Sequence, residues 1–182
     1  RVINKGKIQK EIYLKSLNNL NLIYLYWANR FQDEKNNYFF FDYDLDNELL
    51  GLFNKDNVIK LEMYNILMQA TNSQHALGPD ARKFYWNSFE NYYEPINYDA
   101  NPGIDREVPT TTTVNFRLPI SKYYDQSFKI LETKIKDINL SELNKQITIH
   151  GLSFSEPELK AKIDKIISNL RNIKKNYLKK VN

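Results

Sequence analysis

Residues 72–101 read NSQHALGPDARKFYWNSFENYYEPINYDAN, and they gather the residue types that can do chemistry. His75 and Asp80 stand in a polar loop. An aromatic segment, Phe84-Tyr85-Trp86, follows and leads through a short turn to Pro95-Ile96-Asn97-Tyr98-Asp99, an apolar-flanked carboxylate. The pattern predicts a loop, a strand, a turn and a second strand ending in Asp99. That order is how phosphoryl-transfer folds set a metal-binding acid beside a catalytic loop. The same residues also suit a β-hairpin with ordinary polar ends, because an isolated short motif specifies little.

A site of this kind needs a rigid mount. The candidate mount is a helix predicted over Val58 to Ala70, capped by Asp56 or Asn57. Val58, Ile59, Leu61, Met63, Tyr64, Ile66, Leu67 and Met68 surround it almost completely. Lys60, Glu62, Asn65 and Gln69 leave a narrow polar strip. A helix apolar on nearly all sides is a buried, central one. It runs straight into the polar loop.

Upstream, residues 8–19 mix apolar and basic positions and predict a short helix or an irregular segment. Leu20 to Trp27 is dense in β-formers and reads as a buried strand; Tyr38 to Tyr43 reads as another. Asp42, Asp44 and Asp46 alternate like the start of a calcium loop. That loop needs Gly at its sixth position and Glu at its twelfth, and Asn47 and Phe53 stand there, so a calcium loop is rejected. Asp46 is expected to cap a short helix over 47–53 instead. Downstream of Asp99 an irregular stretch runs to Pro119 and includes four threonines, Thr110 to Thr113, bracketed by Pro109 and Pro119. It predicts a long loop with at most one strand.

Three helices are expected after that. Ser121 is the candidate cap of the first, whose apolar face is Tyr124, Phe128, Leu131, Ile135 and Ile138. Ser141 is the candidate cap of a short second helix, which Gly151 ends, with His150 in the last turn. Ser155-Glu156-Pro157-Glu158 is a capping box with proline in the first turn. The last helix carries Leu159, Ile163, Ile166, Leu170, Ile173 and Tyr177, a stripe for the domain's own core or for a partner helix. The expected fold class is α+β: a small, mostly antiparallel sheet with a buried central helix over 1–119, and a helical half over 120–182.

A chain of 182 residues suits one domain or one lobe. Hydrophobic residues make up 42% and aromatics 14%, enough for a real core. Mean hydropathy is -0.61, and no apolar run is long enough to span a bilayer. The chain opens on Arg1 without a signal-peptide pattern, as expected of a piece of a longer polypeptide. There is no cysteine, which excludes disulfides, thiolate metal sites and a cysteine nucleophile. With only two histidines a structural zinc is not expected. A magnesium site remains open, since one or two carboxylates and substrate phosphates suffice. Heavy use of Asn, Lys, Ile and Tyr suggests an AT-rich genome, and the location, cytoplasmic or cell-surface, is left open.

The stretch from Val58 to Asp99 resembles the C-terminal half of the spore-coat CotH kinase family. The points of likeness are the apolar helix VIKLEMYNILMQA, the polar turn with His75, the aromatic strand RKFYW and the element EPINYDAN. The resemblance implies an atypical protein-kinase-like fold, with this region similar to a kinase C-terminal lobe. It implies transfer of the γ-phosphoryl group of ATP to serine or threonine of a protein substrate, with Mg2+ or another divalent metal. By resemblance, Asp99 is a metal ligand that bridges nucleotide phosphates, with Asn101 beside it. Asp80 lies near a family metal-ligand asparagine, His75 matches the loop histidine, and Arg82 is placed to pair with a phosphate or a carboxylate. The chain departs from the family where Ser73 and Gln74 precede His75, because the family commonly has a catalytic acid there. No glycine-rich loop or strand lysine is placed to cover ATP, so an inactive relative is also an expectation.

A second reading is a non-catalytic assembly or adaptor module. Its surface would be the basic C-terminal helix, which carries Lys160, Lys162, Lys165, Arg171, Lys174, Lys175, Lys179 and Lys180 against Asp164. Net charge is +4 and pI about 9.0, so nucleic-acid binding is the weaker option. A serine hydrolase lacks its G-x-S-x-G elbow. A glycosidase would have only Glu94 and Asp99 as a carboxylate pair on paper.

Overall fold

The polypeptide is seen in a computed structural model that describes residues 10–18, 20–21, 54–77, 81, 83–108 and 122–181. Among the described residues it is mostly helical with one two-stranded antiparallel sheet, α+β in a loose sense. The chain divides into two units, Arg1–Val58 with Lys83–Ile96, and Ile59–Arg82 with Asn97–Asn182. Among the described residues no helix is long and apolar enough to cross a membrane.

In the first unit residues 10–18 are helical, as the first of the two readings of that segment has it. Leu20 and Asn21 are helical too, so the strand expected from Leu20 does not begin there. The rest of that strand, the strand over 38–43 and the helix over 47–53 lie outside the described residues. The aromatic run forms a hairpin, β1 (Lys83–Asn87) and β2 (Tyr92–Ile96), in which Trp86 faces Tyr93 and Phe84 faces Pro95. The Trp86 and Tyr93 rings lie 4.8 Å apart, and Phe84 meets Tyr93 edge-on at 6.3 Å. Such cross-strand aromatic pairs help to stabilise a hairpin, and the Tyr93 hydroxyl also donates to the Ser16 carbonyl. Asn87 builds the turn: its Oδ1 accepts the Phe89 and Glu90 amides, and Asn91 takes φ 63°. Glu94 accepts hydrogen bonds from Tyr92 Oη at 2.6 Å and Asn87 Nδ2 at 2.7 Å.

In the second unit the mount is α1 (Lys55–Ala70), which belongs to this unit from Ile59 onward. It starts three residues earlier than the sequence predicts. Asn54 Oδ1 accepts the Asp56 amide at 2.9 Å, and Asn54 O accepts Asn57 and Val58, so Asp56 and Asn57 are inside the first turn and do not cap it. Burial extends round the helix as expected and takes in three of the four strip residues, Glu62, Asn65 and Gln69, while Lys60 is exposed.

Three helices follow: α2 (Tyr124–Lys136), α3 (Leu140–Ile149) and α4 (Glu156–Val181). Tyr124, Phe128, Leu131 and Ile135 of α2, Ile166, Leu170 and Ile173 of α4, and Ile66 and Ala70 of α1 share one core, on which Ile163 and Tyr177 pack. The α4 stripe is therefore spent on the unit's own core. Helix α3 is capped by Asn139, whose side chain accepts Glu142 N, and not by Ser141; Ser121 lies outside the described residues. Gly151, at φ 79°, closes α3 with the paired bonds Leu152 N to Ile147 O and Gly151 N to Thr148 O, the left-handed cap that glycine makes cheaply. The capping box forms: Ser155 N donates to Glu158 Oε2 at 2.7 Å and Glu158 N to Ser155 Oγ.

Candidate functional site

The site is built where α1 ends. Ser73 N bonds back to Met68 O, and Asn72 turns the chain with φ 54°. Thr71 Oγ1 and Ser73 Oγ share a buried hydrogen bond of 2.8 Å. The chain then makes one 3-10 turn, Gln74–Leu77, which buries Ala76 and exposes His75.

The second half of the site comes from the segment after β2. Asp99 has φ 46° and Asn101 φ 44°, with Ala100 buried between them. Asp and Asn tolerate this left-handed region better than other residues with a side chain. Ala76 and Ala100 pack in one small cluster with Met68. Each buried alanine thus brings its exposed neighbour with it, and His75 Nε2 lies 3.1 Å from Asp99 Oδ2. The side chains are 52% and 60% exposed, so the pair is open to solvent and adds little to stability.

When His75 donates Nε2–H to Asp99, the ring's lone pair is on Nδ1. A carboxylate that orients an imidazole in this way is the arrangement behind many general bases. Asp99 itself is not at a strand terminus. β2 stops at Ile96, and the acid sits beyond it in the left-handed turn. Asn101 is exposed two residues further on. Asp80 and Arg82 lie outside the described residues, as do Thr110 to Thr113. Among the described residues no group of three His, Cys, Asp or Glu side chains is placed to hold a metal. A single carboxylate is still enough for a magnesium ion that nucleotide phosphates also hold.

Two residues that frame this site do not announce themselves in the sequence. Asn72 Nδ2 donates to Gly103 O at 3.2 Å and to Arg106 O at 3.0 Å. Asn169 of α4, fully buried, donates through Nδ2 to Ala70 O and Arg106 O, both at 2.9 Å, and accepts Val108 N at 2.9 Å. Asn172 adds a bond to Val108 O at 3.0 Å. The available signal is that Asn169, Asn172 and Asn176 recur at helical spacing inside the apolar arc of α4.

Three of the eight basic residues named on α4 meet acids of its own unit. Lys162 Nζ reaches Asp105 at 2.9 Å, Lys165 reaches Glu107 at 3.7 Å, and Arg171 reaches Glu132 at 3.9 Å. Lys174 lies over the Phe128 ring at 5.1 Å. Glu132 also meets Lys136 at 2.7 Å, and that bond is the main reason its carboxyl stays below the usual range. No protein-family model, no curated protein and no solved structure matches this chain.

Proposed function

We propose that this chain is a kinase-like phosphotransferase unit, of the kind its resemblance to the spore-coat CotH kinases implies, with His75 and Asp99 at its chemical centre. The observation that supports the reading is the 3.1 Å contact between these two side chains, on loops anchored to the core by Ala76 and Ala100. A kinase-lobe architecture around α1 is part of the same proposal.

Asp99 suits one metal position, because its carboxylate is exposed and oxygen ligands are what a hard cation takes. Bound with magnesium, ATP would supply the γ-phosphoryl group, and the metal would neutralise charge on it. The carboxylate has a second task, since Oδ2 fixes the orientation of His75. An imidazole held in that way offers the Nδ1 lone pair to the proton of a serine or threonine hydroxyl. Ser73 and Gln74, which occupy the place of the family acid, cannot do so. Asp80 as a second metal ligand, Arg82 as a phosphate partner and Asn101 beside the nucleotide complete the proposed set.

Calorimetric titration with magnesium and ATP tests this on wild type, Asp99→Asn and His75→Ala. Wild type is expected to bind, Asp99→Asn to lose binding, and His75→Ala to bind while transferring no phosphate to a generic protein substrate. A wild-type chain that takes up no nucleotide overturns the reading. The assembly alternative draws less support, because Lys162, Lys165 and Arg171 of the basic helix already face acids of this chain.

A further inference from the structure

We infer that Asn72 is a positioning residue for the His75–Asp99 pair, an inference that rests on reading that pair as the site. The Asn72 side chain hydrogen-bonds to neither member of the pair. It acts through the turn at Gly103–Arg106, which lies just beyond Asp99 in the chain.

Three bonds tie that turn to the end of α1. Thr71 O accepts Gly103 N at 2.9 Å, and the Asn72 amide donates to the carbonyls of Gly103 and Arg106. Arg106 N closes the turn on Gly103 O at 2.9 Å. Asn72 precedes His75 by three residues, and Gly103 follows Asp99 by four. The clamp therefore fixes the outer end of both short segments, while Ala76 and Ala100 fix the positions next to the pair. With both ends of each segment held, the separation of the two side chains is set by the frame. The weak attraction of an exposed pair could not set it alone.

The residue types fit this task. Position 72 needs φ 54°, which glycine, asparagine and aspartate adopt most readily. Of these only asparagine has an amide with two N–H groups, one for each carbonyl. Gly103 lets the two strands of chain approach. A Cβ there would meet Asn72 Cβ at 3.3 Å and Arg106 Cδ at 3.1 Å, tighter than ordinary contact.

The test is the ring 15N resonances of His75 in the full chain, with His150, the other histidine, as internal reference. Asp99→Asn defines the spectrum of a broken pair. Asn72→Gly keeps the left-handed backbone and removes the amide. Gly103→Ala keeps the amide and crowds Asn72 Cβ and the Arg106 side chain, so that one of them must shift by a few tenths of an ångström. Asn72→Gly is expected to carry the His75 shifts most of the way to those of Asp99→Asn, and Gly103→Ala part of the way, with His150 unmoved. Wild-type His75 shifts in Asn72→Gly overturn the inference. So does an Asp99→Asn spectrum identical to wild type. Should Asn72→Gly fail to fold, Gly103→Ala decides alone, and wild-type shifts there overturn it. None of these readouts needs nucleotide. Lost nucleotide binding by wild type would remove the phosphotransferase reading and leave the Asn72 result standing, and the reverse also holds.

Discussion

Two polar clusters in the second unit are built on opposite plans. Around Asn169 every partner is backbone, the side chain is fully buried, and both ends of the amide are used. Around His75 and Asp99 the partners are two side chains more than half exposed, joined by a single contact. The first plan makes the unit stable, because a broken bond there strands polar groups away from water. The second makes almost no difference to stability, and so leaves its side chains available to a ligand. The mount and the working groups are thus separated by depth, although Asn72 and Asn169 both reach the same Arg106 carbonyl.

The largest test of this contrast is Asn169→Leu. It orphans Val108 N–H and weakens the hold on two carbonyls, at roughly 1–3 kcal/mol for a stranded group. We expect a loss of about 3 kcal/mol in urea unfolding, and a loss under about 1 kcal/mol would put the two clusters on the same footing. A middle-sized effect is expected at alkaline pH. Burial first, then Glu62 and Tyr177, raise the Tyr124 hydroxyl above its ordinary value of 10.0. The folded state then holds this proton more tightly than the unfolded chain. Its contribution is intact below pH 10 and is lost as pH climbs beyond that. The melting temperature should fall above pH 10, less steeply in Tyr124→Phe; Tyr92 and Tyr177, also raised, share the slope. The smallest effect belongs to Asp99→Asn, expected to change unfolding free energy by less than about 0.5 kcal/mol while nucleotide binding disappears. A larger destabilisation would make Asp99 part of the mount.

What could be read from the sequence was the part governed by local rules. The four-and-three spacing of Tyr124, Phe128, Leu131 and Ile135 gave α2, and Ser155 with Glu158 marked the start of α4. Gly151 marked the end of α3, and Phe84 to Trp86 marked a strand. The caps at Asn54 and Asn139 were missed because neighbouring Asp56 and Ser141 are equally good cap residues, and type alone does not choose between them. The sequence pattern puts Asp99 at a strand end. The left-handed step that carries it beyond β2 leaves no pattern, since Asp is at home in both settings. Its meeting with His75 follows from two buried alanines packing together, a long-range fact that no spacing encodes. Asn169 is the same case: an asparagine in an apolar arc reads as a blemish until its backbone partners are known.

Those backbone partners lie 99, 63 and 61 residues upstream of Asn169. On the ribosome, therefore, the turn after α1 and the segment up to Val108 emerge long before the side chain that locks them has been made. Until translation passes residue 169 the Val108 amide lacks this partner and the Arg106 carbonyl has Asn72 alone, so the frame behind His75 and Asp99 is assembled by its local clamp first and locked from α4 afterwards.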